Sequence, residues 1–137
     1  VWLSITVDDR DGTKLRSGEA VAGILPIAEG QAAAVLVNCS APEVIPAAFA
    51  ILSQGTLPYG AYANGFQRIT EEFLQSRPTV ADLQTRHDFT PAAYADHVMA
   101  WVDAGATIVG GCCEVSPAHI AEIARCLTAS GHTLTRP

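Results

Sequence analysis

Residues 1–7 alternate, with Val1, Leu3, Ile5 and Val7 on one side and Trp2, Ser4 and Thr6 on the other. That period of two predicts a half-buried strand. A polar turn follows at Asp8-Asp9-Arg10-Asp11-Gly12. A helix is predicted to start near Ser17 or Gly18, with Val21, Ile24, Leu25 and Ala28 as its apolar stripe. Pro26 should kink that helix or end it early, and Gly30 closes the unit. The run at 33–37 is nearly all apolar, as for a strand covered on both faces. Ser40 with Glu43 reads as a capping box for the next helix, whose buried face is Val44, Ile45, Ala48, Phe49 and Leu52, with Gly55 ending it.

A third strand is predicted at 58–63, ending at Asn64-Gly65. The rhythm then breaks into a long polar stretch at 66–89, the length of a functional loop or insertion. Thr90-Pro91 caps a helix carrying Tyr94, Val98, Trp101 and Val102, stopped by Gly105. The last unit is a strand at 106–109, the tip Gly110-Gly111-Cys112-Cys113, and a helix from Ser116-Pro117 through Thr128. Its predicted apolar face is Ile120, Ile123, Ala124 and Leu127, Gly131 ends it, and the remaining tail is expected to be loose.

Strands alternating with helices define an α/β chain with a parallel sheet and right-handed crossovers. Two architectures fit: half of an eight-stranded (β/α)8 barrel, or an open four-stranded doubly wound sheet. At 137 residues this is one domain, 1–137, with the insertion at 66–89. Apolar content of 49% and charged content of 16% indicate a packed core. A net charge of −6 argues against nucleic-acid binding, and no apolar run is long enough to span a membrane. No signal-peptide pattern or initiator Met precedes Val1, so the chain is expected to be a piece of a longer, cytoplasmic protein.

The chemistry gathers at two strand ends, where parallel sheets place their active groups. Vicinal Cys112 and Cys113 are poorly suited to bridging each other, because the ring is strained. They can share a soft metal ion if a third ligand joins them, and Cys39 is the candidate. Both sites repeat one order: strand, cysteine, helix start. Gly110 and Gly111 are expected to supply unusual backbone angles that turn both vicinal thiols the same way. Four cysteines without a secretory pattern suit reduced thiols. The absence of Cys-x-x-Cys weakens a redox reading. Cys126 is read as a structural thiol, and His97 and His119 as surface residues. His87, in the polar stretch, is a minor candidate for substrate contact. Asn38 is a candidate for binding substrate or orienting the site, with Ser4 and Thr6 as further inward-facing candidates.

Several segments together resemble the homocysteine S-methyltransferases: Val1-Trp2-Leu3-Ser4-Ile5-Thr6, Val37-Asn38-Cys39-Ser40-Ala41-Pro42-Glu43, Ala61-Tyr62-Ala63-Asn64-Gly65, Trp101-Val102-Asp103-Ala104-Gly105-Ala106, and the stretch at 109–120 containing Gly-Gly-Cys-Cys. The resemblance implies a (β/α)8 barrel in which Cys39, Cys112 and Cys113 hold zinc. It makes the four strands here the fifth to eighth. It also implies homocysteine as substrate and a methyl donor, which in relatives of this fold is S-methylmethionine, S-adenosylmethionine, betaine or methylfolate. Two departures stand out. A whole barrel needs roughly 250 residues, so the half that supplies much of the pocket for the amino acid part of homocysteine is missing. The usual aromatic-proline-asparagine signature reads Tyr62-Ala63-Asn64, and loss of the proline is expected to loosen that tip. The implied partner is a complementary N-terminal half barrel or a second copy. The rival reading is a non-catalytic zinc-binding or interaction remnant that dimerises through its open sheet edges.

Overall fold

The computed structural model describes residues 1–66, 86 and 88–135. Residues 67–85 and 87, which hold most of the predicted polar insertion together with His87, lie outside the described residues. The alternating start forms β1 (Trp2–Ile5), with Ile5 buried and Trp2 exposed. The polar turn folds back through isolated antiparallel bridges, Val7 with Leu15 and Lys14 with Ala20. The first helical segment is shorter than its stripe suggests: a 3-10 turn (Val21–Ile24) runs into a single α-helical turn, α1 (Leu25–Ala28). Pro26 occupies the first turn of α1, where its missing N–H has no helical partner to lose.

The apolar run becomes β2 (Ala34–Asn38), buried along nearly its whole length. A 3-10 turn (Pro42–Val44) leads into α2 (Ile45–Leu52). The predicted Ser40–Glu43 capping box does not form. Ala41 is the N-cap of the 3-10 turn and makes no side-chain cap bond. The Ser40 hydroxyl is fully buried, donating to the Asn38 carbonyl at 2.9 Å and accepting the Val7 N–H at 3.0 Å. It ties the end of β2 to the segment after β1, and Glu43 is left to pair with Arg86.

The remaining elements are β3 (Tyr59–Tyr62), α3 (Pro91–Asp103), β4 (Ile108–Val109) and α4 (Pro117–Ala129). Thr90 caps α3 by accepting the Ala93 N–H. The sheet is parallel throughout, in the order β1-β2-β3-β4. Each crossover adds the next strand on the same side, without the reversal that defines a doubly wound sheet. The order is consistent with an arc of a barrel.

One sheet face carries Ile5, Val35, Val37, Ala61 and Ala63 into a core with Phe49, Tyr94, Trp101, Ile123 and Leu127. The aromatic members meet edge to face, Phe49 with Tyr59 and Tyr94 with Trp101, the arrangement their quadrupoles favour. Ile120, predicted to be buried, is 44% exposed and faces an open cavity beside β4. Among the described residues, no helix is long and apolar enough to cross a membrane.

The β3–β4 pairing brings the two backbones very close at Gly60. A Cβ there would lie 1.8 Å from the Ile108 carbonyl oxygen. Gly60→Ala should therefore separate β4 from β3 and destabilise the fold by about 2 kcal/mol or more. Equilibrium denaturation monitored by tryptophan fluorescence would measure it, and an unchanged midpoint would contradict this packing.

Candidate metal centre

The carboxyl ends of β2 and β4 bring three thiols together. The Cys39 and Cys113 sulfurs lie 4.0 Å apart, those of Cys112 and Cys113 3.8 Å apart, and all three lie within 4.8 Å of one another. All are free thiols, Cys39 and Cys112 half-buried and Cys113 exposed. Zinc–sulfur bonds of about 2.3 Å in a tetrahedron put sulfurs about 3.8 Å apart, so the donor set fits a soft divalent ion with little movement. Three thiolates would leave one tetrahedral position of such an ion unfilled.

Several unpredicted contacts build this cluster. Cys39 is in the left-handed region, φ 46°. Its carbonyl accepts from Asn64 Nδ2 at 2.8 Å and from an Arg16 guanidinium nitrogen at 3.1 Å. Its N–H donates to the Tyr62 carbonyl at 3.0 Å. The vicinal pair is held against β3: the Cys112 N–H donates to the Ala63 carbonyl and the Gly65 N–H to the Cys113 carbonyl, each at 2.9 Å. The Tyr94 hydroxyl accepts the Ala63 N–H at 3.1 Å and donates to the Gly110 carbonyl at 2.7 Å. The tip at Ala63 is therefore not loosened. The N–H that a proline would lack is used to fasten it, and Ala63 is fully buried.

The glycine expectation is also corrected. Neither Gly110 nor Gly111 has a positive φ; the left-handed residues near the site are Cys39 and Glu114. Gly111 is needed for space, since a Cβ there would lie 2.1 Å from a Val115 methyl. His119 is not a surface residue, being 7% exposed. Its Nδ1 accepts the Ser116 N–H at 3.2 Å, so Nε2 carries the proton it donates to the Phe89 carbonyl at 3.0 Å. His97 is partly exposed, 3.9 Å from Glu43. Cys126 lies away from the cluster beside Glu122 and Arg125.

Asn38 sits at the end of β2 with its Oδ1 accepting the Thr6 hydroxyl at 2.8 Å. Ser4 bonds the Tyr62 hydroxyl at 2.6 Å. Arg16 and the role of Tyr94 are not legible from periodicity. The only hint for Arg16 is a cation seven residues after Asp9, at the end of a turn that must fold back on a strand tip.

Residues 1–127 match the protein family described as Homocysteine S-methyltransferase, and the chain belongs to that family. Homocysteine S-methyltransferase 3 of Arabidopsis thaliana is 28% identical over 142 aligned positions, covering 99% of this chain and 38% of its own length. Homocysteine S-methyltransferase of Escherichia coli strain K12 is 33% identical, with 89% and 37% covered. Selenocysteine methyltransferase of Astragalus bisulcatus is 31% identical, with 98% and 38% covered. Among solved structures, the homocysteine methyltransferase MmuM from Escherichia coli, in its oxidized form, superposes with a TM-score of 0.60 at 29% identity. That match covers 85% of this chain and 33% of the other. The chain thus spans little more than a third of the length of these relatives.

Without metal, burial first and then the neighbouring Cys112 sulfur push the Cys39 thiol from 9.0 up to about 12. Burial and Cys112 also push Cys113 up. At pH 8 the metal-free protein should therefore show slow alkylation of Cys39 by iodoacetamide, roughly 50-fold slower than free cysteine once the higher nucleophilicity of a more basic thiolate is allowed for. Peptide mass mapping would read it. The raised value also sets a sign for stability. An unfolded Cys39 releases its proton near pH 9 while the folded one keeps it, so metal-free protein should lose stability as pH rises from 9.0 towards 12. A flat denaturation midpoint across that window would contradict the burial of this thiol.

Proposed function

We propose that this chain is the C-terminal half of a (β/α)8 barrel that transfers a methyl group to the thiol of homocysteine, giving methionine, with Cys39, Cys112 and Cys113 as the ligands of one zinc ion. The observation that carries this reading is the convergence of three sulfurs, 74 residues apart at the extremes, at one end of a parallel sheet. Family membership supports the substrate class.

Bound zinc would hold a substrate sulfur as its thiolate at neutral pH, where a free thiol is mostly protonated. The chain's residues do the rest. Three anionic donors on a dication leave the site net negative, which keeps the incoming sulfur electron-rich. The exposed side of Cys113 leaves the approach open. Asn38, its carbonyl oxygen engaged by Thr6, keeps its amide nitrogen without a partner among the described residues, as a donor for substrate. The chemistry so supplied would be in-line attack of the substrate thiolate on the donor's methyl carbon, the sulfur–carbon bond forming as the donor's bond to methyl breaks and its electron pair leaves with the donor.

In this reading β1 to β4 are strands five to eight, and the complementary half closes the free sides of β1 and β4. A cavity of about 830 Å³ lies beside β4, lined by Trp2, Ile108, Ile120, Ile123, Leu127 and Leu134. Its apolar lining suits a packed partner better than open water.

Metal analysis of protein purified without added zinc should give one zinc per chain, falling below about a tenth in Cys39→Ser, Cys112→Ser and Cys113→Ser. Full zinc in Cys39→Ser would remove that residue from the ligand set. Sedimentation velocity of the chain mixed with the first four βα units of a family member should show a one-to-one complex. A dimer of this chain alone that refuses that partner would favour the non-catalytic interaction module.

A further inference from the structure

We propose that Arg16 is a positioning residue for the metal centre, holding Cys39 in the backbone conformation that aims its sulfur at the vicinal pair. This rests on the zinc reading above and adds a residue that does not itself bind metal. Cys39 is one of two described residues other than glycine with a positive φ, 46°. Side chains disfavour that region, so something outside the residue must hold it there. Its carbonyl oxygen receives two donors from different parts of the chain, Arg16 at 3.1 Å and Asn64 at 2.8 Å. Two converging bonds fix the tilt of the peptide plane between residues 39 and 40.

The segment around Cys39 is also gripped on its other side. The Asp9 carboxylate accepts the Ala41 N–H at 2.8 Å and pairs with the Arg16 guanidinium at 3.3 Å. Asp9 and Arg16 therefore bracket residues 39–41 as one unit, with side chains only 6% and 20% exposed. The Arg16 N–H donates to the Thr6 carbonyl at 3.0 Å, which anchors the bracket to the chain leaving β1. Residues after the first strand thereby set the angle of a ligand after the second. One guanidinium nitrogen, Nη2, meets both the carbonyl and the carboxylate; lysine would keep the charge but not the fixed in-plane N–H directions that divide between them.

Cobalt(II) provides the test, because its thiolate charge-transfer absorbance scales with the number of sulfurs bound. The native chain should give a three-thiolate, tetrahedral spectrum. Arg16→Ala, at saturating cobalt, should drop to two-thiolate intensity, and zinc competition against a chromophoric chelator should show affinity lowered about 10–100-fold. Arg16→Lys should remain folded, recover part of the affinity and still fall short of the native spectrum. It carries the test if the alanine variant does not fold. A three-thiolate spectrum with native zinc affinity in folded Arg16→Ala or Arg16→Lys would overturn the proposal. Absence of any cobalt–thiolate band in the native chain would instead overturn the zinc reading.

Discussion

Parallel pairing in unbroken chain order is the constraint on which everything else rests. When each crossover adds its strand on the same side, all carboxyl ends reach one rim, and residues remote in sequence become neighbours without any long excursion. Cys39 leaves β2 and Cys112-Cys113 leave β4, with β3 between them as spacer. The spacer and the residues just after it are active: the Tyr62 and Ala63 carbonyls accept the Cys39 and Cys112 N–H groups, and the Gly65 N–H donates to the Cys113 carbonyl. The centre is built from main-chain bonds across a sheet tip, and rigid elements position ligands better than free loops.

The same crowding bears on the protonation of the thiols. Burial and the neighbouring sulfurs push the Cys39 thiol up, and push Cys113 up as well. A divalent cation held by these thiols would displace their protons.

Much of this was open to inspection in the bare sequence, for identifiable reasons. Strand ends followed by small or polar helix starts announce where chemistry gathers, and cysteines at two such ends announce its kind. Period and capping place α3 and α4 closely, because Thr90 and Ser116 precede prolines that fix the first turn. The failures have a common physical origin in tertiary contact. Ser40 looks like a cap until the end of β1 is packed beside it, where its hydroxyl serves Val7 instead. His119 looks exposed at a helix start until Phe89 folds over it, with ring centroids 5.2 Å apart. Gly111 looks like a hinge, yet its role is to make room for Val115. Arg16 and Tyr94 act through backbone atoms of distant segments, which no local pattern encodes. Ile120 fits an apolar stripe but stays 44% exposed among the described residues.

The brevity of β4 has a bearing on solubility. A sheet border exposes unpaired amide and carbonyl groups that can template the docking of foreign strands. With only Ile108 and Val109 in extended pairing, and two glycines immediately beyond, that border offers an intruding strand very little ladder to extend. The opposite border, four residues long with Trp2 exposed on it, is the more hospitable of the two. Self-association of an unpartnered chain is thus biased towards β1, and a charged residue in place of Trp2 is the natural gatekeeper there.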